Sequence, residues 1–330
     1  MLHTILVPLD GSDFAEHALP LAITLGRRGA AVHLVRVHLR SGEHATARLA
    51  ELDDLMHKVE LQYLEQLLER LARSGASLTF SVADGSVVSC LEEAAEAQRA
   101  DLIVMTTHGR TGMSRAWIGS VADQLMRRST VPVLLLRPTS KPADPLAGRE
   151  LGSILVPLDG SPRAEEILEH AADLADMLGA RITLLNVIGP VILPMHPYAY
   201  IAVPLALDRE LLRAQTVHSD AYLRSIAERL RSRHPGLEVR KEVQVAENAA
   251  AGILERARSA SFDLVAMTTR AHGLSRLLVG GVADKVMRGT RLPLLLYSPP
   301  EEEPDTAAGS EEERSPHPGA ITTPERPPAA

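Results

Sequence analysis

The chain has 330 residues, 45% of them hydrophobic and 3% aromatic, with a formal net charge of −7. That length suits two domains, each able to bury its own core, and so few aromatics disfavour a base-stacking platform for single-stranded nucleic acid. After residue 299, eight acidic residues stand against Arg314 and Arg326, so the tail carries −6, the rest only −1, and no basic nucleic-acid footprint is present.

In chain order, short β-branched or Leu-rich runs alternate with helical patterns, as in βαβ units on a parallel sheet buried on both faces. The start, MLHTILVPLDGS, has no basic region before its apolar residues and runs into a strand, so no export signal is expected. Strands are expected at 3–9, 31–38, 77–83, 101–107 and 131–137, with helices between them at 13–28, 46–74, 87–99 and 120–129. Ser12 is placed to cap the first helix, and Pro20 inside it should kink it. In the second helix Leu52, Met56, Val59, Tyr63 and Leu67 recur three or four apart, a stripe expected to pack on the sheet. Cys90, the only cysteine, sits in the third helix as a small core residue, and its solitude fits a reduced cytoplasm.

The pattern then begins again. ILVPLDGS at 5–12 recurs whole at 154–161, DLIVMTT (101–107) is answered by DLVAMTT (263–269), and VADQLMR (121–127) by VADKVMR (282–288). Ser161, followed by Pro162, is the matching helix cap. The offset between copies grows from 149 to 161, mostly within the Pro-rich stretch 189–206, which reads as a loop insertion. The longest apolar candidate, 191–207, is broken by Pro194, Pro197 and Pro204, so no membrane span is expected. The chain thus divides into a domain at 1–138, a Pro-extended linker at 139–151, a second domain at 152–298 and an acidic, Pro-rich tail at 299–330 expected to be disordered. Each copy is expected to form a five-stranded parallel sheet with helices on both faces. Their last strands, VPVLLL (131–136) and LPLLLY (292–297), would be aggregation hazards as open edges and are expected to meet within the chain.

In such a sheet ligands bind at the carboxyl ends of the strands, where strand order reverses, and phosphates sit on a helix N-terminus. Copy one places Asp10, Gly11 and Ser12 after its first strand, and Thr106, Thr107, His108 and Gly109, then nine residues, then Gly119 and Ser120, after its fourth. Glycines there admit backbone amides to an anion, and Ser120 with Asp123 reads as a capping box. Other chemistries fit less well. The first turn lacks a G-x-G-x-x-G fingerprint, and no Walker-type loop is present. His108 is the best candidate to polarise a phosphate, and Asp10 could stand as a phospho-acceptor, but the fifth strand ends in Arg137 and Pro138 rather than the Lys a receiver domain needs. His33 and His38, five apart on one strand, face opposite sides and read as ordinary surface histidines, not as a metal pair.

With these motifs the chain resembles the universal stress protein family, whose ATP signature runs Gly, two residues, Gly, nine residues, then Gly followed by Ser or Thr, after a first strand ending in Pro-x-Asp. Gly109, Gly119 and Ser120 are similar to it in spacing, and Thr106 stands at the first glycine. The resemblance covers 3–137 and 152–297 and implies two Rossmann-like, adenine nucleotide alpha hydrolase-like domains. It implies ATP, accompanied by magnesium, as the ligand of copy one: Asp10 near the ribose, Pro8, Leu9 and Val37 near the adenine, and Met105, Thr106 and Val121 along the rest of the pocket. Copy two is one residue shorter in this loop, has Ala271 or His272 where Gly109 would stand and Gly281 in place of Ser120, and keeps Gly280 and Asp159, so it reads as a scaffold or a weak site. Two functions follow. One is a cytoplasmic nucleotide-binding stress regulator acting through conformation or assembly, with at most slow ATP hydrolysis. The other is a non-binding, dimer-like scaffold with degenerate sites. In both, the two copies form an intramolecular pseudo-dimer, and a homodimer is left open.

Overall fold

A computed structural model describes residues 1–40, 46–107, 118–139, 141–189, 205–259, 262–269 and 281–299, with side chains from 209 onward in the segment that begins at 205. The acidic tail beyond 299 and the insertion at 190–204 lie outside the described residues. Repeat one runs β1 (Thr4–Pro8), α1 (Leu19–Arg27), β2 (Ala31–His38), α2 (Ala47–Leu71), β3 (Ser77–Asp84), α3 (Val87–Ala97), β4 (Leu102–Thr106), α4 (Ser120–Arg128) and β5 (Val133–Leu136). Repeat two runs β6 (Ser153–Pro157), α5 (Pro162–Glu165), α6 (Ile167–Leu178), β7 (Arg181–Ile188), α7 (Leu205–Arg233), β8 (Val239–Val245), α8 (Ala249–Ser259), β9 (Leu264–Thr268), α9 (Gly281–Gly289) and β10 (Leu294–Tyr297).

The strands form one ten-stranded sheet in the order β3-β2-β1-β4-β5-β10-β9-β6-β7-β8. Within each repeat all pairs are parallel, and only β5 with β10 is antiparallel, in a register that sets Leu134 opposite Leu295 and Leu135 opposite Leu294. The expected meeting of the last strands is therefore present, as one continuous sheet. The central strands read LIVMT and LVAMT and are buried throughout, because helices cover both faces. The outer strands β3 and β8 are only half-buried, and β8 carries Arg240, Lys241 and Glu242, charges that discourage pairing with another chain at that edge.

Two apolar layers sandwich the sheet, and each crosses the β5–β10 junction. One joins α1, α2, α6 and α7 through Leu134, Leu136 and Leu295. The other joins α3, α4, α8 and α9 through Val133, Leu135, Leu294 and Leu296. Cys90 is a buried free thiol in the second layer's helix α3, as expected.

Three local expectations are revised. Pro20 does not kink a long first helix, because a 3-10 turn at Ala15–Ala18 precedes α1 and leaves Pro20 in the first turn of α1, where its missing N–H has no partner to lose. The linker is not simply extended. Asp144 caps a 3-10 turn at Pro145–Ala147, Arg27 donates to the Leu146 carbonyl (2.9 Å), and the Arg149 N–H donates to the Thr24 hydroxyl (2.8 Å). Gly148 makes this close approach feasible: its φ is +72°, and a β-carbon there would meet Thr24 at 3.1 Å. Finally, the α2 stripe packs only in part. Leu67 is fully buried and Tyr63 partly, whereas Leu52, Met56 and Val59 are exposed.

Candidate functional site

Strand order reverses between β1 and β4, and there the carboxyl ends of β1, β2 and β4 open a cavity of about 420 Å³. Backbone hydrogen bonds fix its rim. The Leu9 N–H donates to Val35 (2.8 Å), the Thr107 N–H to Leu136 (2.8 Å), and the Gly119 N–H to the Thr107 carbonyl (2.7 Å). Asp10 shapes the first loop: its Oδ1 accepts from the Ser12 N–H (3.0 Å) and the Ser12 hydroxyl (2.6 Å), and Ser12 Oγ in turn accepts the Ala15 N–H (3.2 Å).

The cavity brings together Pro8, Leu9, Asp10, Val37, Met105, Thr106, Gly119, Ser120 and Val121. Gly109 and His108 lie outside the described residues. Thr107, placed with Thr106 in the loop after the fourth strand, also lines it, and so do Val35, Leu39, Val87 and Leu91, which were missed. A signal existed for some: Val35 stands two before Val37 on the same strand face, and Val87 and Leu91 are four apart at the start of α3. The walls are thus mostly apolar, and the polar groups gather where α4 begins. Among the described lining residues none carries a positive charge. An anion there would be held by the unpaired N–H groups and positive dipole end of α4, with the Ser120 hydroxyl beside them.

The start of α4 differs from the expected capping box. Gly119, extended at φ −71° and ψ 154°, is the N-cap, and Ser120 is the first helical residue. Asp123 cannot reach back because Arg127 holds it, at 3.1 and 3.0 Å. Gly119 sits close under the rim: a β-carbon there would stand 3.1 Å from the Thr107 carbonyl oxygen, which would have to give by a few tenths of an ångström.

Repeat two reproduces the frame and little of the space. Asp159 holds Ser161 as Asp10 holds Ser12, at 2.9 and 2.6 Å, and Ser161 caps α5 as expected. The cavity at the ends of β6, β7 and β9 measures about 100 Å³, and α9 opens on Gly281 with no hydroxyl.

Next to the first site lies a buried ionic cluster that sequence reasoning missed. Glu60 of α2 accepts from Arg36 (3.2 Å) and pairs with Nδ1 of His38 (2.8 Å), all three nearly inaccessible. Arg36 also packs under the first loop: a β-carbon on Gly11 would lie 2.1 Å from its Nη1. The reading of His33 and His38 as surface residues is overturned, since both are buried. His33 bridges the hydroxyls of Thr79 and Ser81, each at 2.8 Å, and burial lowers its pKa. At the positions of Arg36 and His38, repeat two has Asn186 and Ile188, and Asn186 instead donates to the Leu158 carbonyl (2.8 Å).

A family model for the universal stress protein family matches residues 1–137 and 151–298. The chain belongs to the universal stress protein family. A universal stress protein of Methanocaldococcus jannaschii is 29% identical over 141 residues, which span 42% of this chain and 83% of that one. A tandem-length relative from Mycobacterium tuberculosis is 27% identical over 201 residues, and the match spans 60% of this chain and 61% of the relative. Among solved structures, a universal stress protein from Archaeoglobus fulgidus superposes with a TM-score of 0.60 at 17% identity, covering 89% of this chain and 98% of that one, a likeness of fold. Among the described residues no helix is long and apolar enough to cross a membrane, and no group of acidic, His or Cys side chains is arranged to hold a metal.

Proposed function

We propose that this universal stress protein binds ATP in repeat one and acts as a stress-response regulator in the cytoplasm, through nucleotide-dependent conformation or assembly. The observation that supports it most is the contrast between the two cavities, about 420 Å³ in repeat one and about 100 Å³ in repeat two. The larger has the make-up of a nucleotide pocket: an apolar slot at the strand-order switch that ends on a helix N-terminus. Pro8, Leu9 and Val37 supply walls for the base, Asp10 lies at the ribose edge, Met105, Thr106 and Val121 line the middle, and Gly119 with Ser120 opens on the phosphates. Gly109 would join the phosphate loop. Magnesium would arrive with the phosphates as their counter-ion. No side chain is assigned a catalytic role, and Arg137 donates to the Met287 carbonyl across the repeat junction rather than serving a receiver-type site at Asp10.

Two measurements test this reading. Freshly purified protein, denatured and analysed by mass spectrometry, should release adenine nucleotide. Calorimetric titration should then show binding abolished by Val37→Glu and retained in the matched Val187→Glu, because each places a carboxylate in the base slot of one repeat. Equal loss from both variants, or loss only from Val187→Glu, would sink the assignment to repeat one. No binding by the wild type would favour the scaffold reading, in which the continuous sheet is the functional element.

A further inference from the structure

The first two turns of α2 cover almost nothing: every residue from 46 to 52 is exposed. The apolar residues there continue past those turns, with Leu52, Leu55, Met56 and Val59 between 42% and 57% exposed. At 100° per residue these four share one face, roughly a quarter turn from Glu60, Leu64 and Leu67, which face the sheet. Hence the stripe runs beside the packed face and is not part of it. The fold does not require it either. Matching Tyr63 and Leu64 to Tyr222 and Leu223, the same positions of α7 are Leu211, Ala214, Gln215 and His218. A contiguous apolar face of this kind marks an interaction surface.

Several occupants can be set aside on chemistry and reach. The tail beyond 299 contains Ile321 as its one large aliphatic residue, so it has nothing apolar to lay on the stripe. The apolar run 190–204 is anchored at both ends in repeat two, on β7 and α7, and β7 lies seven strands across the sheet from β2, about 33 Å at the usual strand spacing. An anionic membrane is disfavoured because Glu51, Asp53 and Asp54 outnumber Arg48 and Lys58 along these turns. A second copy fits. In an antiparallel pairing centred near Leu55, Leu55 meets its own counterpart and Leu52 lies against Met56 and Val59. On the flank, Glu51 falls beside Lys58 of the second copy, and by symmetry Lys58 beside Glu51. The apolar edges of β5 and β10 are already used within the chain, so self-association must draw on another surface.

We propose that the face of α2 formed by Leu52, Leu55, Met56 and Val59 is a self-association surface on which two copies pair helix against helix about a two-fold axis near Leu55. The test uses the full chain and needs no nucleotide. Sedimentation velocity over a concentration series should show a monomer–dimer equilibrium, weakened at least tenfold by Leu52→Glu or Leu55→Glu, with the melting temperature unchanged at concentrations dilute enough for the wild type to be monomeric. Glu51→Lys and Lys58→Glu should each weaken dimerisation, and the double exchange should restore it. Leu55→Cys in a Cys90→Ser background should form a disulfide-linked dimer on mild oxidation. A wild type that stays monomeric, or a dimer indifferent to both Glu substitutions, overturns the proposal. So does a melting temperature that falls by several degrees in either variant under those dilute, monomeric conditions, since the stripe would then be covered within the monomer.

Discussion

Two glycines separate backbone strain from contact with the buried cluster. Gly11 and Gly160 occupy the same place in the two repeats, with φ of +81° and +87°, so an alanine at either adopts a left-handed conformation costing about 1–2 kcal/mol. Around Gly160 nothing lies within 4 Å, whereas a β-carbon on Gly11 would strike Arg36, whose guanidinium is buried and held by Glu60. Arg36 therefore cannot swing aside without loosening a buried ion pair. Gly11→Ala is expected to destabilise by about 2 kcal/mol more than Gly160→Ala in urea unfolding, because a buried charge must be displaced. Equal costs would mean that the Arg36 contact is slack. His33 gives a pH dependence. Burial lowers its pKa below the usual 6.5, so the unfolded chain takes up a proton before the folded one does, and stability falls as pH drops below about 6.5. His170 acts in the same sense through burial. His234 acts in the opposite one, because although burial lowers its pKa, the hydrogen bonds its protonated ring donates to Asp176 and Glu169 outweigh that and raise it. Thermal melts of His33→Gln should therefore lose part of the acid sensitivity between pH 6.5 and 5. An unchanged pH profile would show that His33 protonates in the folded state without cost.

At the scale of elements, the two repeats share a device that ties the start of the first helical region to the long helix. Tyr63 of α2 donates to Glu16 (3.1 Å) and Arg70 reaches the same carboxylate (2.8 Å); in repeat two Tyr222 donates to Glu165 (3.0 Å) and Arg229 pairs with it. The arginines are about half exposed and contribute little as ion pairs. The tyrosine hydroxyls are better placed, and their pKa values are raised first by burial and then by the neighbouring carboxylate. Tyr63→Phe and Tyr222→Phe should each cost about 1 kcal/mol and add in the double variant, as distant sites do. Strong non-additivity in denaturant unfolding would contradict this. Such elements were legible because hydrophobic period and turn residues decide them locally: the strands of repeat one lie within two residues of their expected bounds, and so do α3 and α4, whereas α1 begins only at Leu19 behind a 3-10 turn and α2 gives way to one after Leu71. What escaped was set by tertiary contact. His33 and His38 read as surface residues until α2 and β3 supply partners, Arg36 drew no reading at all, and the exposed half of the α2 stripe has the same spacing as its buried half. Of the residues that line the cavity, Asp10, Thr106, Gly119 and Ser120 were legible through the strand ends and the glycine spacing and Pro8, Leu9, Val37, Met105 and Val121 through the family resemblance, while Val35, Val87 and Leu91 enter it as ordinary core-type residues that the ends of β2 and α3 leave facing it.

For the whole molecule, the consequence of one sheet is one unfolding unit. Separate domains joined by a linker would unfold as two transitions, but both apolar layers here run through β5 and β10, and the linker is bonded to α1 by Arg27 and Thr24. Exposing either repeat alone would strip Leu134, Leu136 and Leu295 of their packing partners across the junction and leave two apolar strand edges bare. Calorimetry should therefore show a single transition for the full chain. The seam can be examined directly, because Leu134 and Leu295 are register partners and essentially inaccessible. Each alanine substitution should cost about 2–4 kcal/mol through lost burial and the cavity left behind. Their contacts are mutual, so the double variant should depart from additivity by about 0.5–2 kcal/mol. Leu134→Ala combined with Ile182→Ala on β7, four strands away, should add within about 0.5 kcal/mol. A charge at the same place should be far worse: Leu134→Glu or Leu295→Glu buries an unpaired carboxylate on the seam and should yield a chain that aggregates or fails to fold. Two resolved transitions in the wild type, or a Leu134→Glu chain that melts like it, would show that the repeats are stable independently and that the junction only brings them side by side.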